Sequence, residues 1–240
     1  MTRSLLVRGM LVGIVAGLLV FFSARWLGEP QVDRAIAFET AANQARGEAQ
    51  DPEVFSRHVQ KTVGLLTAVV FYGAALGGIF GLVFAYSYGR IGPVRPRSLA
   101  AFLAGLGFIA ITFVPSLKYP ANPPSVGNPE TIGVRTVAFF LMISISMISM
   151  ILSLKVSRYS MRRFGGWNGV LLATGFFLAL VVASMRLFPA INEVPAGFPA
   201  DVLWHFRLAS WAIQLILWAS IGLLFGWLTE RDERWANAVA

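Results

Sequence analysis

The chain has 240 residues, 56% of them hydrophobic and 13% charged, with a net charge of +8. Soluble domains carry about 25% charged residues, so an ordinary water-soluble globule is excluded, and the lack of polar tracts excludes a disordered chain. The absence of cysteine excludes a disulfide scaffold and a thiolate metal site, and basic residues spread between apolar runs exclude a nucleic-acid interface.

Six apolar runs approach the ~20 residues that cross a hydrocarbon core. In chain order they predict helices over about residues 5–26, 63–88, 99–117, 134–156, 167–188 and 208–228. The fold class is an all-α integral membrane protein, a bundle of six transmembrane helices, with 1–240 read as a single transmembrane domain. Arg3 and Arg8 precede the first run as they would in a signal peptide. That run is long for an h-region and no clear A-x-A cleavage pattern follows it, so it is read as a retained helix.

Gly9, Gly13 and Gly17 on the first helix are spaced by four, as are Gly73, Gly77 and Gly81 on the second, where Gly78 stands beside them. Gly222 and Gly226 repeat the spacing on the sixth. Such stripes let another backbone approach closely, either within this chain or on a partner helix or second copy. Ser146, Ser149 and Ser153 share a face of the fourth helix, where they bond to backbone or line a conduit.

Residues 28–61 form the longest polar stretch, expected as an outer loop. Within it, residues 31–46 can form a helix with Val32, Ile36 and Phe38 toward one side. Gly47 ends it, and the helix lies on the membrane surface or over the bundle.

Orientation follows from lysine and arginine. The connection after the second helix holds Arg90, Arg95 and Arg97, and that after the fourth holds Lys155, Arg158, Arg162 and Arg163, with no acid in either. Arg3 and Arg8 at the start and Arg231 and Arg234 in the tail fall on the same side. Of the 12 acids, only Glu230, Asp232 and Glu233 lie on that side, which leaves nine on the other. Both termini are thus expected in the cytoplasm, with the loops after helices one, three and five outside.

Those outer loops share a pattern. A proline near an acid precedes an arginine: Asp51-Pro52-Glu53 with Arg57, Asn128-Pro129-Glu130 with Arg135, and Pro199-Ala200-Asp201 with Arg207. Asp or Asn suits the cap, proline the first turn, and an acid the positive end of the helix dipole. The pattern marks either three well-made helix starts or three parallel two-helix hairpins with arginines ringing an outer vestibule. Two loops are stiffened further by proline, over residues 113–124 and 189–199. Their free carbonyls, with nearby Asn and Glu side chains, either guide a cation or simply make rigid connectors.

No P-loop, G-x-S-x-G, H-E-x-x-H or C-x-x-C occurs, and His58 and His205 are the only candidate histidine bases, so an enzyme is not expected. Asp201 and His205, four apart, share a face at the start of the sixth helix. Two ligands are too few for a closed site but suit a weak transit site for a divalent ion. Asn192 and Glu193 approach it from the preceding loop. The bland alternative is that Asp201 serves the helix dipole and His205 sits at the membrane interface.

The chain resembles the CbtA family, membrane subunits of a bacterial cobalt transporter. The likeness is carried by the strings Arg8-Gly9-Met10-Leu11-Val12-Gly13, Gly28-Glu29-Pro30-Gln31-Val32-Asp33-Arg34-Ala35-Ile36 and Leu117-Lys118-Tyr119-Pro120-Ala121-Asn122-Pro123-Pro124. It is carried also by Asn192-Glu193-Val194-Pro195 and Gly197-Phe198-Pro199-Ala200. The resemblance implies cobalt uptake for cobalamin synthesis in the bacterial cytoplasmic membrane, beside a small histidine-rich membrane subunit, CbtB. That partner would capture the metal and this subunit would supply the passage.

The expectation is therefore a transporter subunit with no tightly bound cofactor, whose cargo is Co2+ or another divalent cation. Its candidate transit ligands are Glu29, Asn122, Asn192, Glu193, Asp201 and His205. The alternative is a non-transporting scaffold or accessory subunit of a larger membrane complex.

Overall fold

A computed structural model describes residues 2–47 and 55–239, and of residues 233–239 only the helical course. Asp51, Pro52 and Glu53, the first of the proline-acid starts, lie outside the described residues. No strand occurs among those described. Six helices are long and apolar enough to cross a membrane: α1 (Thr2–Arg46), α2 (Arg57–Ser87), α3 (Pro96–Lys118), α4 (Pro129–Phe164), α5 (Gly166–Leu187) and α6 (Ala200–Val239).

Every expected span is present, but the first ends elsewhere than expected. α1 does not stop near residue 26 and residues 28–61 are not a loop throughout. Glu29–Arg46 continues the same helix and Arg57 already opens α2. Gly47 ends α1 with φ 71°, a conformation glycine adopts without a Cβ clash. The Pro30 that suggests a break is absorbed by a π-helical stretch, Ala24–Gly28. A proline ring collides with the carbonyl four residues earlier, here Trp26, and widening the helix at that point removes the collision. α3 repeats the device. Pro115 follows the π-helical Phe108–Phe113, which contains Ile111.

α4 also runs further than expected, to Phe164, so Lys155, Arg158, Arg162 and Arg163 sit on its last turns rather than in a loop. The turn into α5 is Gly165 alone, at φ 81°.

The chain divides into two compact units. One comprises Met1–Phe108, Pro123–Ser125 and Pro199–Ala240; the other comprises Ile109–Asn122 and Val126–Phe198. In the first unit, α1 and α2 touch backbone to backbone. A methyl group added at Gly9 or Gly13 would overlap the carbonyl of Gly77 or Gly73, and one at Gly81 would overlap that of Leu5. The glycine stripes are therefore used inside the chain. Gly222 and Gly226 do the same for α6 on α3, against Ala104, Ala100 and Arg97. Phe225 of α6 meets Phe84 and Phe80 of α2 edge-on, with ring centroids 5.0 and 5.4 Å away. Arg8 Nη1 donates to Thr229 Oγ1 at 2.9 Å and its other nitrogen pairs with Asp232, so the start of α1 and the end of α6 lie together.

In the second unit α4 lies along α5, and Val114, Met142, Phe177 and Val181 form the core. Ser146, Ser149 and Ser153 are buried. Ser153 donates to its own backbone, at the Ser149 carbonyl, as Ser184 of α5 does at that of Val181. The close pairs within the units are α1 with α2, α1 with α6, α3 with α6, and α4 with α5. Of the three hairpins that the repeat suggests, the first is formed as a close pair; α3 with α4 and α5 with α6 are not among these pairs.

Candidate functional site

The glycine contact of α1 and α2 brings an acidic stretch of α1 beside the basic start of α2 in the first unit. Glu29 sits just past the π-helical turn and is only 8% exposed. Arg57, capped into α2 by Ser56, donates to the Glu29 carboxylate through Nη2 and to Asp33 Oδ1 through Nε at 3.0 Å. Lys61, one turn on, lies 3.6 Å from the other Asp33 oxygen. The four groups sum to zero charge. The buried face of α1 carries polar groups beyond them. Gln31 Oε1 is buried without a hydrogen-bond partner, and the carbonyl of Ala35 accepts from Ser125 Oγ at 3.3 Å. On α6, Gln214 Oε1 is likewise buried and unpartnered.

Asp201 and His205 open α6 in the same unit, and both are exposed. His205 Nδ1 lies 2.7 Å from the Asp201 carbonyl oxygen. A carbonyl can only accept, so Nδ1 carries a proton, and it is Nε2 that is left to offer a lone pair when the ring binds a metal. That is the orientation in which histidine ligates a metal, with its second nitrogen held by a backbone carbonyl.

The second unit has its own carboxylate, Glu193, in the loop after α5. It accepts from the Asn128 amide at 2.7 Å and from the Thr131 hydroxyl, and lies 3.4 Å from Arg135 Nε. Asn128 caps the start of α4, its side chain accepting from the Glu130 amide at 2.9 Å. Glu193 thus adds a negative charge at the positive end of α4. The Thr131 hydroxyl, the Asn128 amide and then Arg135 hold its pKa below the ordinary glutamate value, against an opposing effect of burial. The loop is fixed from the other side too. Lys118 donates to the Met185 carbonyl at 2.8 Å, and the Tyr119 hydroxyl donates to that of Pro189 at 3.0 Å.

The expected ligands are therefore distributed over both units. Glu29 is held by Arg57, Glu193 by the start of α4, and Asp201 sits with His205. Asn122 and Asn192 are not buried. Among the described residues no three His, Cys, Asp or Glu side chains come together in a way that would hold a metal ion. Of the expected ligands, the two gripped carboxylates, Glu29 and Glu193, are each held by an arginine from the shared pattern, Arg57 or Arg135. Arg207, the third, is half-buried on α6. The sequence pattern marks these arginines but not their acids, which lie 28 and 58 residues away in the chain. Thr131 carries no signal of its own beyond lying three residues after a capping asparagine.

A family model described as "Probable cobalt transporter subunit (CbtA)" matches residues 2–230. No curated protein matches the chain, and no solved structure does.

Proposed function

The chain belongs to the CbtA family of cobalt transporter subunits, and from that premise we propose that it is the membrane passage of a Co2+ uptake system supplying cobalamin synthesis. It sits in the bacterial cytoplasmic membrane with both termini inside, and acts with a small histidine-rich membrane subunit that delivers the metal. The observation that carries this reading is the match over residues 2–230, which takes in α1 to α5 whole and α6 as far as Glu230.

The geometry supports a passage built on exchange. A carboxylate paired with an arginine binds a divalent cation by releasing the arginine, so each grip is reversible and weak. Such ligands suit transit better than storage. The entry oxygens are those of Glu29, Asn122, Asn192, Glu193 and Asp201, with His205 Nε2 as the one nitrogen. Oxygen and imidazole donors both accept Co2+, and neither is specific to it. Charge in mid-membrane is costly, so the inner path relies on carbonyls, hydroxyls and the Gln214 amide. The scaffold reading needs glycine faces free for a partner, and the faces of α1, α2 and α6 are filled from within the chain.

The deciding experiment is cellular cobalt content, with this chain expressed alone and with its small partner. The expected result is accumulation with both, and its loss in Glu193→Ala and Asp201→Ala at unchanged membrane abundance. Normal accumulation in both variants would remove these residues from the path. No accumulation from the wild-type pair would remove the transport reading itself.

A further inference from the structure

The first unit contains a groove of about 650 Å³ between the start of α1 and the end of α6. Its floor is a stripe along α1, Val7, Leu11 and Val15, faced by Trp227 of α6. Its mouth is polar, formed by Arg3, Ser4 and Arg8. We propose that this groove is a binding site for one anionic phospholipid, with its phosphate on Arg3 and an acyl chain along the stripe.

The dimensions fit a chain. From Val7 to Val15 is eight residues, or about 12 Å of helix, most of the ~15 Å half-thickness of a bilayer's hydrocarbon core. The mouth fits a headgroup. Among the described residues Arg3 has no ion pair, whereas Arg8 is held by Asp232 and Thr229 and lends its charge from behind. The indole of Trp227, with Arg231 5.6 Å from its centre, is placed where aromatic side chains meet headgroups.

Charge selects the class of lipid. The described residues at this end of the unit include Arg3, Arg8, Arg90, Arg95, Arg97 and Arg231 against Glu230 and Asp232. Basic pockets between transmembrane helices hold anionic headgroups on this principle. The lining argues against a partner helix, because helices associate in lipid through small residues. The stripe is branched and bulky, and the small-residue faces of α1 lie elsewhere, on α2.

The test uses the full chain in detergent, titrated with phosphatidylglycerol or phosphatidylcholine and weighed by native mass spectrometry. One phosphatidylglycerol is expected to stay bound, with a preference over phosphatidylcholine of about five-fold per engaged arginine. Arg3→Gln should lose that preference, and Val7→Trp, which fills the groove, should lose retention of both lipids without changing the thermal unfolding of the protein. Equal retention of the two lipids would mean an ordinary annular shell and overturn the proposal. So would an unchanged Arg3→Gln or Val7→Trp, displacement by inorganic phosphate as effective as by the lipid, or a second polypeptide found in the groove's place.

Discussion

The two units solve the same problem, two apolar helices side by side in lipid, with different residues. In the first, α1 and α2 meet over glycines, and the seam has no side chains between the backbones. In the second, α4 and α5 meet over serine, alanine, methionine and phenylalanine, with a single close glycine contact at the turn, Gly169 on the Met161 backbone. The charged ends differ in the same way. Glu29 and Arg57 join one helix directly to another, whereas Glu193 joins a loop to a helix start. A glycine seam fixes the distance between two backbones and tolerates nothing larger; a side-chain seam can adjust. The first unit thus has the tighter seam, and the second holds its carboxylate on a loop pinned to the start of α4.

The largest expected effect breaks the tighter seam. Gly13→Leu drives a side chain into the backbone of α2 at Gly73 and Ala74. Overpacking costs about 1–3 kcal/mol where neighbours can yield, and a backbone yields less than a side chain. Thermal unfolding in detergent and membrane abundance should both fall sharply. Ser149→Leu in the second unit should fall less, because Ser149 is buried on a helix whose buried face is made of side chains, which can repack. Equal losses would erase the distinction between the seams.

How far the molecule is legible in its sequence follows from the same contrast. Glycines four apart have one structural use in lipid, so the α1–α2 seam is readable from residue spacing alone. Gly47 and the helix of residues 31–46 are readable for a similar reason, since a helix end that needs a left-handed residue names it. The continuity of α1 is not readable. Pro30 is an ordinary stop signal, and only the π-helical turn at Ala24–Gly28 lets the helix pass it. The site is readable by residue type and not by partner. Glu29 and Glu193 stand out as acids near apolar runs, but an ion pair across 28 or 58 positions leaves no local pattern.

A second prediction concerns the helix-to-helix pair. Glu29→Gln leaves Arg57, whose side chain is 23% exposed, without its buried carboxylate. Asp33 still accepts from its Nε, which limits the loss. A hydrogen bond to a charged group is worth roughly 1.5–3 kcal/mol, and the change should lie toward the lower figure in chemical or thermal unfolding. Arg57→Ala should cost more, because it leaves Glu29 buried with no cation. If the two variants were equal, the acid rather than the arginine would set the stability of this end.

The loop-held carboxylate gives a pH prediction. The Thr131 hydroxyl and the Asn128 amide, with Arg135, lower the pKa of Glu193 in the folded state. Its contribution is therefore fully present above the ordinary glutamate value of about 4.3. It is lost only as pH falls through the lower folded value. Hydrogen exchange at the Asn128 amide should stay slow just below that ordinary value and accelerate on further acidification. In Glu193→Gln that amide should exchange with no such transition. A wild-type transition at or above the ordinary value would show that the grip is weaker than its geometry.

The smallest effect is expected at Ser146, and its size separates two accounts of the serine seam. The Ser146 hydroxyl is buried in the second unit without a hydrogen-bond partner, while Ser153 is satisfied by its own helix. Removing an unpartnered hydroxyl forfeits no bond and relieves a desolvated polar group. Ser146→Ala should therefore leave unfolding within about 0.5 kcal/mol of wild type, or raise stability slightly. Ser153→Ala should be the more costly of the two. If the seam is packing alone, cobalt accumulation should be unchanged in Ser146→Ala. If the hydroxyl meets a passing ion, accumulation should drop while stability holds. That pair of readings, taken on one variant, decides whether the second seam only joins two helices or also forms part of the path.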